Sequence, residues 1–186
     1  MTHLPRRILG LLAAVITMTV LFVAPQSAQA SPFGQGVFGA DVPFGSATSI
    51  AIALGGDVNL SLAPVGAQFS GTGSHTVTVT STDVVGYLLY ARPTTSTNLA
   101  NGSATIAASN NSSAAALAEG TWGYNTTGST TNFLGMPSGG VELKNATGPF
   151  KSGDPTTVTY GALVGATQAA GNYTMAVTYT VVAKNP

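Results

Sequence analysis

Few side chains in this sequence could do chemistry. Histidine occurs only at His3 and His75, cysteine is absent, and the acids are Asp41, Asp57, Asp83, Glu119, Glu142 and Asp154. A Ser-His-Asp arrangement needs a histidine beside one distinguished serine, yet no Gly-x-Ser-x-Gly elbow raises any serine above the others. His75 opens the alternating run Thr76 to Thr80 and reads as a surface histidine at a strand entry. His75 alone is not a metal constellation, and His3 lies far from it in sequence. Paired carboxylates could serve a glycosidase and clustered ones could hold calcium. Asp57, Asp83 and Asp154 instead occupy positions where Asp favours turn geometry, beside Gly56, after Thr82 and in Lys151-Ser152-Gly153-Asp154-Pro155. No Asp-x-Asp-x-Asp spacing is present, although acids from separate loops could still converge. The expectation is a protein without catalytic residues, metal or cofactor.

The strongest binding candidates are Trp122 and Tyr124, which stand between Gly120 and the polar run Asn125 to Asn132. An exposed aromatic pair beside amides and hydroxyls can stack on a sugar ring and hydrogen-bond its hydroxyls. The competing reading is a core plug, the commoner place for a lone tryptophan in a small β domain.

The elements that must position these residues are strands. Ile50, Ile52 and Leu54 alternate with small residues, Gly55-Gly56 intervenes, and Val58, Leu60 and Leu62 alternate again, which predicts a β-hairpin. Val77 and Val79 alternate with threonines; after a break at Ser81 to Asp83, the apolar run Val84 to Tyr90 reads as a central strand covered on both faces and stopped by Pro93. Pro93 to Ala118 predicts a short strand at Ala104 to Ala108, surface loops, and a helical turn at Ala114 to Leu117. Thr157 to Val164 and Tyr173 to Val181 are the clearest alternating runs.

Short strands punctuated by Gly and Pro, with no amphipathic helix, predict an all-β, antiparallel β-sandwich, immunoglobulin-like or jelly-roll-like. Gly171-Asn172-Tyr173 resembles the tyrosine corner of immunoglobulin-like domains. The segments Val85 to Leu89, Gly120 to Tyr124, Thr156 to Gly161 and Ala169 to Thr180 resemble small exported bacterial surface proteins with an immunoglobulin-like domain. That resemblance implies a surface or matrix component and carries over no catalytic residue. It departs from wall-binding domains with repeated Trp-x-Leu, because Gly123-Tyr124 follows Trp122.

Arg6 and Arg7 precede an apolar run from Ile8 to Val23, and Pro25 breaks it ahead of Ala28-Gln29-Ala30. This is the pattern of a signal peptide over 1–30, its run shorter than the roughly twenty residues of a spanning helix. Residues 31–46 form a Gly/Phe-rich arm in which Pro-Phe-Gly occurs at 32–34 and again at 43–45, and 47–186 form the sandwich domain. Beyond residue 30 only four cations face six carboxylates, scattered singly, so no basic stripe for nucleic acid exists. An exported chain without cysteine must rely on core burial alone. The expected role is a non-enzymatic secreted or cell-surface structural or adhesive protein, self-assembling through sheet edges or the arm. Its expected partners are itself, other surface proteins or a cell-surface glycan, with no membrane partner after signal cleavage. The alternative is a carbohydrate-binding module using Trp122 and Tyr124.

Overall fold

The longest strand organises the fold. In a computed structural model that describes residues 48–184, the run of alternating Thr and Val extends into a single 15-residue strand, β3 (Gln68–Thr82). The signal peptide (1–30) and the arm (31–46) lie outside the described residues. The other strands are β1 (Ser49–Leu54), β2 (Ala63–Val65), β4 (Gly86–Pro93), β5 (Leu99–Asn101), β6 (Ala104–Ala108), β7 (Thr121–Asn125), β8 (Val141–Thr147), β9 (Asp154–Gly165) and β10 (Val177–Lys184). They make two packed sheets. A seven-stranded sheet has the order β1-β3-β9-β7-β6-β5 with β2 also paired to β3, and a three-stranded sheet has the order β10-β4-β8. Every pairing is antiparallel except β6 with β7. No helix among the described residues is long and apolar enough to cross a membrane.

Between the sheets lie Val77 and Val79 of β3, Tyr87, Leu89 and Ala91 of β4, Trp122 and Tyr124 of β7, and Val158, Tyr160, Ala162 and Val164 of β9. Alternation along each strand puts these residues on one face, so burying them removes apolar surface from water at about 25 cal/mol per Å². The chain changes sheets between β3 and β4 at Asp83, whose φ of 54° makes the sharp reversal where the sequence shows its break. β4 is the central strand of the small sheet, but only its inward face is fully covered; Leu88 and Tyr90 are half-buried and Arg92 is exposed.

Three local expectations are corrected. The Gly55-Gly56 hairpin does not form: β1 pairs with the far half of β3, Leu54 opposite Val77, and residues 55–62 carry no strand. The two-residue turn that does close a hairpin is Gly66-Ala67, between β2 and β3. Val58, Leu60 and Leu62 still pack on the core, because their segment crosses β3 where glycines leave room for a backbone. A Cβ at Gly71 would lie 2.4 Å from the Ser61 carbonyl oxygen. The helical turn at 114–117 is absent, since Ala115 is held extended in a bridge to Phe133. The run from Tyr173 to Val181 is not one strand: Thr174 bridges Ala100 at the edge of the large sheet, and β10 begins at Val177 in the small one.

The large sheet is also covered on its outer face. Gly123 and Gly161 stand opposite each other on β7 and β9, and the Phe133 ring lies in the space their missing side chains leave. A Cβ at Gly161 would fall 2.3 Å from that ring. Gly161→Ala is expected to displace Phe133 and lower the unfolding free energy by about 1–3 kcal/mol, read from urea denaturation; an unchanged midpoint would show that the ring does not depend on this pair.

Candidate functional site

Trp122 and Tyr124 point inward because their strand alternates with Gly123 under Phe133. They are 2% and 3% exposed. The Trp122 ring lies 6.2 Å from that of Tyr160, and its Nε1 donates to the Thr97 carbonyl at 2.9 Å. That bond satisfies the one polar atom of the indole and fastens the loop leaving β4 over this part of the core. The two rings therefore stand in the core and do not form an exposed platform on which a sugar could stack.

His75 is not a free surface residue. It shares the inward face of β3 with Val77, and its Nε2 lies 2.6 Å from the Tyr179 hydroxyl while its Nδ1 lies 3.0 Å from the Gly56 carbonyl oxygen. The Tyr179 hydroxyl also bonds that of Tyr160 at 2.5 Å, so β3, β9 and β10 are joined across the two sheets. A second inter-sheet tie is ionic. Lys144 Nζ on β8 lies 2.6 Å from Asp154 Oδ1 on β9, and the Tyr87 hydroxyl of β4 donates to Asp154 Oδ2 at 2.8 Å. Asp154, read from sequence as a turn residue, thus opens β9 and anchors the small sheet.

Burial, reinforced by the hydrogen bond to Asp154 and its negative charge, raises the Tyr87 pKa well above its ordinary value. Burial likewise raises those of Tyr124, Tyr160 and Tyr179. These hydroxyls stay protonated, and those of Tyr87, Tyr160 and Tyr179 act as hydrogen-bonding ties; a tyrosinate base would need the opposite shift. His75, Tyr160 and Tyr179 come together without a carboxylate among their hydrogen-bond partners. Among the described residues no three His, Asp or Glu side chains form a group able to hold a metal ion.

Two loops are organised by asparagines that sequence reasoning passed over. Asn125, buried at the end of β7, donates through Nδ2 to the carbonyls of Ser129 and Asn132, at 2.8 and 3.1 Å. Its Oδ1 accepts from the backbone N–H groups of Thr127 and Ser129. The polar run 125–132 is therefore closed upon one side chain. Asn111 does the same for the preceding loop, donating through Nδ2 to the carbonyls of Ala115, Ala116 and Phe133. The available signal was an asparagine at the head of a Thr/Ser/Gly-rich segment, where its side chain can stand in for backbone partners.

Beside the Asn111 loop lies an open cleft of about 770 Å³, lined by Asn98, Ser109, Asn110, Asn111, Pro137 and Ser138 with Tyr124 and Met136 among its other residues. Its walls offer amides and hydroxyls without a charged group, so it can make neutral hydrogen-bonded contacts with a polar surface. The Tyr173 hydroxyl donates to the Ala169 carbonyl four residues upstream, while the strand of the small sheet begins only at Val177.

No family model, curated protein or solved structure matches the chain. An all-β fold of two packed sheets is what the structure shows.

Two measurements follow from this geometry. Trp122→Ala should destabilise the fold by about 3–5 kcal/mol in urea denaturation, as removal of a packed aromatic does; a folded, equally stable variant that had lost retention on a polysaccharide would restore the platform reading. Because the buried tyrosines have raised pKa values in the fold, their contribution to stability is complete below about pH 10 and is lost as pH climbs beyond it. Urea midpoints should hold up to that pH and then fall, with a shallower fall in Tyr179→Phe; a flat profile into stronger alkali would contradict the tie.

Proposed function

We propose that this is a non-enzymatic secreted or cell-surface protein, a structural or adhesive module of immunoglobulin-like type that displays polar loops from a rigid β framework. The observation that carries the reading is the pair of asparagine-closed loops. Asn125 and Asn111 each hold a hydroxyl- and amide-rich segment in one conformation, the second beside the open cleft. Loops ordered before contact lose less conformational entropy on binding, which suits repeated weak contacts with a polar surface. The leader pattern over 1–30 supports export, and the scarcity of charge fits a surface kept wet by hydroxyls and amides. Partners of this module are other surface proteins or further copies of itself.

Cell fractionation and intact-mass measurement on the full chain carrying a C-terminal epitope provide the test. The expected result is a product beginning at Ser31, in the medium or accessible to protease on intact cells. Full-length chain retained in the cytoplasm would overturn the proposal. So would a defined catalytic turnover that survives purification and disappears on changing one side chain.

A further inference from the structure

The sheet edges are not equally protected. β5 is capped by Thr174, which exchanges two backbone hydrogen bonds with Ala100. β8 carries Glu142 and Lys144, and its pairing with β4 shifts register between Leu89 and Tyr90. β10 is half-buried at six of its eight positions and ends on Lys184, and β2 contains Pro64. β1 is different. Its sequence Ser49-Ile50-Ala51-Ile52-Ala53-Leu54 has no charge and no proline, its register with β3 is unbroken, and five of its six residues are exposed. Ile52 is 36% and Leu54 55% exposed, although they share a face with the fully buried Val79 and Val77 opposite them. Charges, prolines and bulges are the usual means by which an edge is kept from pairing, and β1 has none of them.

The hydrogen-bond phase of this edge coincides with its apolar face. Gly55 N–H donates to the Thr76 carbonyl at 2.8 Å, and an antiparallel ladder alternates from there. Ser49, Ala51 and Ala53 thus turn their backbone groups toward β3, while Ile50, Ile52 and Leu54 turn theirs to the open side. Among the described residues no second strand pairs with β1. An antiparallel partner that places bulky residues at its own outward-bonding positions satisfies both requirements at once, and β1 itself is such a strand. With Ile52 opposite Ile52, Ile50 faces Leu54, all three pairs exchange N–H···O bonds, and the apolar row continues across the junction with Ala51 against Ala53 behind it.

We propose that the open edge of β1 pairs antiparallel with β1 of a second copy about a two-fold axis at Ile52, joining two seven-stranded sheets into one. The proposal rests on the reading of this chain as a structural module and names the partner of its free edge. A strand without charge meets its own copy without repulsion, and a two-fold contact consumes the edge on both copies. Assembly through this edge stops at a dimer and does not grow into a fibre.

The test is sedimentation equilibrium on the chain from Ser31, with Ile52→Lys, Ile52→Cys and, as a control at an exposed position of β6, Thr105→Cys. The wild-type chain is expected to be a dimer, and Ile52→Lys to self-associate at least about tenfold more weakly with an unchanged circular-dichroism spectrum. In a protein with no other cysteine, Ile52→Cys is expected to cross-link to a disulfide dimer under mild oxidation while Thr105→Cys remains single. If Ile52→Lys does not fold, the cross-link decides. A monomeric wild type, a dimer that survives Ile52→Lys, or no preferential cross-linking of Ile52→Cys would overturn the pairing. Association lost on removing residues 31–46 would do the same and assign the edge to the arm. A monomer that is still displayed removes only the dimer; a chain retained in the cytoplasm removes the surface role whatever its oligomeric state.

Discussion

Three strands must close a face presented by seven, and most features of this fold follow from that mismatch. The small sheet covers the centre of the large one, where Val77, Val79, Leu89 and Val158 are sealed from solvent. The rest of the inner face needs cover that no strand supplies. Residues 58–62 provide part of it by crossing β3 over Gly71 and Gly73. The loop after β4 provides more, descending to accept the Trp122 hydrogen bond at Thr97. β10 of the small sheet approaches β1, yet Ile52 and Leu54 remain in contact with solvent.

Without cysteine, the two sheets are held by packing and by polar ties at separate places. At one, His75, Tyr160 and Tyr179 link three strands through hydroxyl and imidazole. At the other, Asp154 receives Lys144 and Tyr87 from two strands of the small sheet. Groups of this kind are expensive to bury unpaired, so they constrain the sheets to one relative position more than they add net stability. Hydrophobic burial drives the association and the ties select its register.

The loops follow the same logic on a smaller scale. A polar segment of eight residues such as 125–132 buries too little apolar surface to order itself, and Asn125 supplies the missing partners from within the framework. Asn111 fixes the adjoining loop and, through the Phe133 carbonyl, the aromatic lid on the outer face. The order of these two loops is therefore inherited from two asparagine amides.

Period-two alternation by itself determined that the chain is all-β, and it located β6, β9 and the cores of β3 and β4, because side-chain parity is a local property of an extended backbone. The sequence also separated Trp122 and Tyr124 as residues that had to be either platform or plug. Tertiary structure decided which. Gly123 beneath Phe133 turns the two rings inward, a fact that depends on a residue ten positions away arriving on the opposite face. Strand partners were equally out of reach: Gly55-Gly56 resembles a hairpin turn, yet β1 gains a long ladder with β3 instead. The same holds for the run after Tyr173, whose alternation is continuous while its partners lie in two different sheets. Alternation states which side chains share a face; which strand lies alongside, and how far the opposing sheet extends, depends on contacts that only the folded chain brings together.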